Sequence, residues 1–428
     1  MINKLKANLR RLERYSFYRK SQYWSREQIE QYQDKKLIEI IRHAGIHIPY
    51  YRNLFQEIGL DINSFRGRQD MDKIPLLDKE MVRKNYSAFI ADYIDQNNTK
   101  WWRKTSGSTG TPLKFMLDEQ SSINKSSVVF RAYQWAGYRI GMKIFLLKGL
   151  SESKPKDYDF ELSKNMYYLN SSRLTKENCI AVGEKLIKFR PKFFAGYVRS
   201  FIDFYKYINE AGIPAPKPKG IFCYGETVTP DIRAYIEKAY SSKLYDFYSL
   251  VENVAAISQM PDNQMYMTED FFFPELVDHE GNKTASDYGE LIATSFYNYS
   301  MPFIRYKTRD MIKLADPTRE YRYALKPVEF IEGRVDDYIL LPDGRKIYYA
   351  EGALGYAKGI VAAQYIQDRI DHLKINLIID DDFMGEYYHE IEKGLQKRIG
   401  QSIKVDFAIV DELEKKGSGK TPFIIRRI

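Results

Sequence analysis

Lys104-Thr105-Ser106-Gly107-Ser108-Thr109-Gly110-Thr111-Pro112 (KTSGSTGTP) is built only from Lys, Ser, Thr, Gly and Pro. Such a run cannot pack as core. Its glycines allow close backbone approach, and its hydroxyls and amides can cradle phosphate oxygens, so its composition suits a polyphosphate. Composition alone fits a flexible linker equally well. Against the linker, the run lies between two apolar stretches, TKWW and LKFML, as a tight connection within a domain would.

A second glycine-rich stretch, KKGSGKTP at Lys415 to Pro422, is not a phosphate loop of the Walker type. The first glycine of that pattern would fall on Glu414, and the FIIRRI that follows is too short and too β-branched for the helix whose amides hold phosphate. Read alone, Lys420 there is a basic residue on a solvated tail.

The chain has 428 residues, 44% hydrophobic and 29% charged, which is globular and large enough for two domains. No apolar run reaches the roughly 18 residues a bilayer span needs, and the start, MINKLKANLRRLERYSFYRK, lacks the apolar stretch of a secretory signal. A cytoplasmic location and no transmembrane segment are expected. Cys179 and Cys223 are too few for a disulfide framework, and the five histidines have no ligand spacing, so no structural metal is expected. The net charge of +9 permits contact with nucleic acid or anionic membrane, yet the cations are spread among 57 acids, which suits an ATP-binding enzyme as well. No nucleic-acid partner is expected.

Residues 26 to 45 read as an amphipathic helix closing at Gly45. Helical and extended segments alternate between Ser121 and Leu250 (SINKSSVVFRAYQWAG, MKIFLLKG, TKENCIAVGEKLIKF, FFAGY, TPDIRAYIEKAY, KLYDFYSL), which predicts an α/β arrangement. From Tyr266 the texture turns strand-rich. After Asp337 come a hairpin turning at Asp343-Gly344 and a strand-helix-strand pattern, a small α+β unit. The boundary is placed at Gly333 to Asp337, giving domains 1–335 and 336–428.

With the Thr105–Thr111 loop, further islands carry a family resemblance: Tyr224-Gly225-Glu226-Thr227, Asp246-Phe247-Tyr248-Ser249-Leu250-Val251-Glu252-Asn253, Arg305-Tyr306-Lys307-Thr308-Arg309-Asp310, Gly333-Arg334-Val335-Asp336-Asp337, and Ser418-Gly419-Lys420. In this order the sequence resembles the adenylate-forming superfamily, and within it the phenylacetate-CoA ligase group and its CapK-like branch. HIPYYRNLF and IPLLDKE resemble that group's N-terminal segments, so the likeness runs over nearly the whole chain.

The resemblance implies an α/β fold with a large multi-sheet adenylate-forming domain and a small mobile α+β domain. It implies activation of a carboxylate by ATP to an acyl- or aminoacyl-adenylate, with release of pyrophosphate, then acyl transfer to an amine, hydroxyl or thiol. Lys420 would enter the active site and bridge substrate carboxylate and α-phosphate. Thr105, Ser106, Gly107, Ser108, Thr109, Gly110 and Thr111 would hold the β- and γ-phosphates, and Glu252 would hold Mg²⁺. Tyr224, Gly225 and Glu226 would flank adenine, Tyr248 would stack on it, and Asp246 belongs to the same motif. Asp310 would bind the ribose hydroxyls, assisted by Arg334, and Asp336 and Asp337 would form the hinge of the small domain.

The residue-level alternatives are a surface ion pair for Asp310, a buried or surface-paired glutamate for Glu252 and a core tyrosine for Tyr248. Ser249 stands where the family has glycine, which is expected to stiffen the loop. YILLPDGRKIYY lacks the Arg-Gly turn of phenylacetate-CoA ligases, which leaves CoA open as acceptor. The CapK-like branch implies an acceptor in surface polysaccharide synthesis: a sugar nucleotide or lipid-linked sugar, beside a carrier thiol or CoA. The alternatives are an aryl- or acyl-CoA ligase, a non-catalytic nucleotide-binding relative, and a basic membrane- or nucleic-acid-binding module resting on the N-terminal stretch. Trp135, Phe194, Tyr197 and Phe222 are candidates for the acyl pocket or for core.

Overall fold

The computed structural model describes residues 2–95, 101–104, 113–149, 156–334, 338–347, 359–400, 403–415 and 421–428. Among the described residues five α-helices begin the chain: α1 (Ile2–Ser21), α2 (Arg26–His47), α3 (Pro49–Glu57), α4 (Lys79–Lys84) and, after the short hairpin β1 (Trp102–Lys104) and β2 (Lys114–Met116), α5 (Glu119–Trp135). An alternating section follows: β3 (Ile144–Lys148), β4 (Tyr158–Glu161), β5 (Met166–Asn170), α6 (Lys176–Phe189), β6 (Phe193–Gly196), α7 (Val198–Glu210), β7 (Gly220–Cys223), α8 (Pro230–Tyr240) and β8 (Leu244–Ser249). Strands then dominate: β9 (Ala256–Gln259), β10 (Met265–Met267), β11 (Phe272–Val277), β12 (Tyr288–Ser295), β13 (Tyr306–Leu314) and β14 (Pro327–Arg334). The C-terminal section holds β15 (Ile339–Leu340), β16 (Lys346–Ile347), β17 (Ile360–Arg369), β18 (His372–Ile379), α9 (Tyr387–Ile399), β19 (Lys404–Ile409) and β20 (Ile424–Arg426).

The mixed α/β class expected from the sequence is what the molecule has. It forms two compact units, each made of two chain segments: Met1–Gly137 with Phe247–Ile331, and Tyr138–Asp246 with Glu332–Ile428. The chain crosses from one to the other within β8.

In the first unit the strands run in the order β11-β12-β13-β14-β10-β9, and β9 pairs antiparallel with Phe247–Ser249 of β8. The β11–β12 pair is a hairpin joined through HEGNKTASDYG, with Val277 opposite Glu290. Helix α2 opens with a capping box at Ser25, closed by Gln28. It does not end at Gly45. It runs on to His47, because the stop signal is Ile48-Pro49, with Pro49 at the first turn of α3. Gly45 is there for packing, since a Cβ would come within 2.9 Å of Ile62 Cγ2.

The basic N-terminal stretch is the helix α1, and its second half is anchored within the first unit. Arg14 donates to Asn124 Oδ1 at 2.8 Å and to Tyr297 Oη at 2.6 Å, and its guanidinium lies 4.5 Å from the Phe17 ring centroid. Arg131 of α5 is held by Asp270 at 2.7 and 3.3 Å and by the Tyr18 carbonyl at 3.1 Å.

In the second unit β8, β7, β6, β3 and β5 form a parallel ladder, closed by antiparallel β4. Here α7 joins α6 and α8, with Phe201, Ile202, Phe204 and Ile208 all buried. Phe194 lies in the core among Phe145, Phe201 and Tyr240, and Phe222 is also buried. The C-terminal section forms a four-stranded sheet in the order β19-β18-β17-β20, with α9 over Leu373, Ile375 and Leu377. The hairpin β15–β16 turns at Asp343-Gly344, where Gly344 takes a φ of +85°.

Candidate active site

Two segments of the first unit bring acids and tyrosines together. Both carry a tyrosine and an acid four residues apart: Tyr248 within β8 and Glu252 just after it, Tyr306 and Asp310 on β13. The pairing is reciprocal. Tyr248 Oη donates to Asp310 Oδ2 at 2.7 Å, and Tyr306 Oη donates to Glu252 Oε1 at 3.3 Å. Each tyrosine thus takes up an oxygen of the other segment's acid.

Asp310 and Glu252 are each 6% exposed, so both carboxylates are withdrawn from water and need such partners. The surface ion pair that the neighbouring cations suggest for Asp310 does not form with Arg305. That guanidinium turns instead to Glu275 at 2.9 and 3.1 Å and to the Ile74 carbonyl at 2.6 Å. Arg305 and Arg309 adopt φ values of +51° and +65°, left-handed conformations at the start and middle of β13. The Asp310 amide donates to Thr308 Oγ1 at 3.2 Å and the Arg309 amide to Glu290 Oε1 at 3.1 Å.

Ser249 pairs with Ala256 in the β8–β9 ladder, an extended conformation open to any residue, so this place in the chain does not require the family's glycine. Past it, Asn253 takes a φ of +58°, donates to Ser121 Oγ on α5 at 3.1 Å and accepts from Ser295 Oγ at 3.3 Å through its carbonyl. These bonds fix the segment that carries Glu252.

Sequence reasoning missed one residue here. Lys125, one helical turn after Ser121 on α5, has a buried Nζ with no hydrogen-bond partner among the described residues. The ammonium lies 5.4 Å from the Phe247 ring centroid and 5.8 Å from that of Phe271. Burial pulls its pKa down to about 7, against the opposing field of Glu252. The available signal was a lysine on the α5 turn that also presents buried Ser121, Asn124 and Val128.

The second unit holds the other expected residues. Tyr224 follows β7 with its amide on the Gly196 carbonyl at 3.2 Å, and Gly225 takes a φ of +78°. Glu226 then bridges two backbone amides, Arg199 at 3.0 Å and Thr421 at 2.9 Å. Asp246 is the last residue of β8 in this unit and pairs with Cys223 across the ladder. Lys415 pairs with Asp203, whose pKa burial raises against the pull of that lysine; Lys206 reaches Asp411 at 3.3 Å and Tyr207 bonds Glu412. Arg334 ends β14. Thr105 to Thr111, Asp336, Asp337, Ser418, Gly419 and Lys420 lie outside the described residues.

Among the described residues no three His, Cys, Asp or Glu side chains group as a metal site. A single buried carboxylate at Glu252 still fits Mg²⁺ bound together with substrate phosphates, because that ion keeps several waters and takes one or two protein carboxylates. No helix among the described residues is long and apolar enough to cross a membrane.

The chain is similar to known proteins in sequence and in fold. Residues 340–427 match the CapK C-terminal domain family. Over 412 residues the chain is 22% identical to protein CapK of Staphylococcus aureus, covering 92% of this chain and 89% of that one. It is 26% identical over 327 residues to a phenylacetate-coenzyme A ligase of Pseudomonas putida, covering 73% and 72%. The crystal structure of a 2-hydroxyisobutyryl-CoA ligase in the postadenylation state, in complex with R3-HIB-AMP, superposes with a TM-score of 0.75 at 18% identity over 95% of this chain and 93% of that one. The fold is the one seen in that CoA ligase structure. In sequence the chain is similar to CapK and to phenylacetate-CoA ligases over most of its length.

Proposed function

We propose that this enzyme uses ATP to convert a small carboxylic acid to its acyl- or aminoacyl-adenylate and then passes the acyl group to an acceptor. A carboxylate is a poor acyl donor because its leaving group would be oxide. Attack of its oxygen on the α-phosphorus of ATP forms a C–O–P anhydride and breaks the bond to pyrophosphate, which leaves with the electron pair. The reading rests on the reciprocal pairing of Tyr248 with Asp310 and of Tyr306 with Glu252, which joins two otherwise separate motif segments around two buried acids.

In this reading Asp310 accepts hydrogen bonds from the ribose hydroxyls with Arg334 assisting, and Tyr248 stacks on adenine. Tyr224, Gly225, Glu226 and Asp246 serve the nucleotide side. Thr105 to Thr111 hold the outer phosphates through amides and hydroxyls. Glu252 would hold Mg²⁺, which supplies charge neutralisation at the phosphates. Lys420, a compact cation on a flexible stem, bridges the acid and the α-phosphate. Residues 1–335 form the adenylating part, and 336–428 form the lid that delivers Lys420, turning at Asp336-Asp337.

The likeness to CapK supports an amine or hydroxyl acceptor in surface polysaccharide assembly; the likeness to phenylacetate-CoA ligases supports CoA instead. The two are separated by incubating the protein with ATP, Mg²⁺ and a panel of acids and trapping the adenylate with hydroxylamine. Hydroxamate and pyrophosphate formed in equal amounts without CoA are the expected result, and CoA added in place of hydroxylamine shows whether a thioester forms. Nucleotide binding without pyrophosphate release for any acid would favour a non-catalytic relative.

A further inference from the structure

Lys125 has no role in the chemistry above, yet its surroundings resemble a binding site more than a structural anchor. Its stem is only half-buried while its Nζ is sealed off without a hydrogen-bond partner among the described residues. A buried ammonium in a stable core is normally paired. Here its neighbours are two aromatic faces, Phe247 and Phe271, and the field of Glu252. Rings satisfy a cation in part but accept none of its three N–H bonds.

The position is as informative as the missing partner. Ser121 and Lys125 stand one turn apart on α5, and Ser121 accepts from Asn253, next to Glu252. Phe247, under the ammonium, directly precedes Tyr248. Lys125 therefore belongs to the same cluster as the two motif acids. Glu252 already receives Tyr306 Oη and does not hydrogen-bond Lys125.

We propose that Lys125 determines acid specificity by binding a second anionic group of the substrate, so that the acid activated here is dicarboxylic. The ring faces of Phe247 and Phe271 would line the short carbon chain between the two carboxylates, and the ammonium would donate the hydrogen bonds it now lacks. This rests on the adenylation reading for its chemistry but not for its binding event.

The test pairs saturated mono- and dicarboxylic acids of equal chain length. Acid-dependent exchange of pyrophosphate into ATP is measured for the natural chain, Lys125→Met and Lys125→Arg, and binding of the same acids is measured by calorimetry. In the natural chain the diacid is expected to exceed the monoacid in kcat/KM by roughly 10- to 100-fold, the size of one charge-assisted hydrogen bond in a sealed site. Lys125→Met should erase that preference by weakening the diacid alone, and Lys125→Arg should restore part of it. Equal rates for the paired acids in the natural chain, or an equal loss for both in Lys125→Met, would overturn the proposal.

Exchange with any acid that disappears in Lys420→Ala upholds adenylation whatever the preference. If no acid supports exchange, the calorimetry decides. Diacid binding that Lys125→Met weakens upholds the site though the ligase reading fails, and binding that is absent or unchanged overturns it. A folded Lys125→Met, checked by circular dichroism, secures both arms.

Discussion

Arg131 and Lys125 stand six residues apart on the same helix, and both carry a buried cationic head. Arg131 has a carboxylate, Asp270, on two of its nitrogens, and a backbone carbonyl besides. Lys125 has aromatic faces and the field of Glu252, which it does not hydrogen-bond. The first arrangement neutralises the charge with a carboxylate, though Nε stays without a partner among the described residues, and it holds the first unit together. The second is incomplete, and beside it stand two buried acids each tied to a tyrosine from another segment. A hydrogen-bonded carboxylate thus separates buried charge that supports the fold from buried charge left for a ligand.

The largest effect that could break this contrast is on the Arg131–Asp270 pair. Arg131→Met strands Asp270 in the interior, and chemical denaturation should show a loss of about 3–5 kcal/mol. A loss below about 1 kcal/mol would place Arg131 in the wrong class. Glu252→Gln should do the reverse: the melting curve stays near that of the natural chain, while pyrophosphate exchange falls on the order of 100-fold or more. Asp310→Asn keeps an acceptor for Tyr248 but loses charge at the ribose. A rise in the KM for ATP of roughly tenfold, with kcat little changed, is expected.

A further effect is on Lys125 and depends on pH. Its folded pKa of about 7 lies below the ordinary 10.5, so between those values the unfolded chain holds a proton that the folded chain has released. Stability from this group therefore rises with pH across that window. Lys125→Met should be more stable than the natural chain at pH 7 and below, with the gap narrowing toward pH 10.5. A gap independent of pH would mean that the ammonium is solvated after all.

The same contrast explains what the sequence could disclose. Ordered motifs are legible because nucleotide chemistry fixes residue types and spacing, and the segments around Tyr248 and Asp310 do come together. Alternation of helix and strand from Ser121 to Leu250 was legible from periodicity, and the end of α2 was misread because Gly45 serves packing against Ile62 while Pro49 sets the stop. Helix α7 is hard to read from sequence because its buried face mixes Arg199, Ser200 and Asp203 with the phenylalanines. Phe194 could not be sorted into pocket or core without its partners Phe145 and Phe201. Lys125 was invisible for a related reason: a lysine on a helix reads as solvent-facing, and only tertiary packing seals its head.

The account stands most directly on acid-dependent exchange of labelled pyrophosphate into ATP, measured for the natural chain beside Lys420→Ala. The account predicts exchange that requires an acid and is lost in the variant. ATP bound with measurable affinity but no exchange for any mono- or dicarboxylic acid, or exchange that survives Lys420→Ala unchanged, would contradict it.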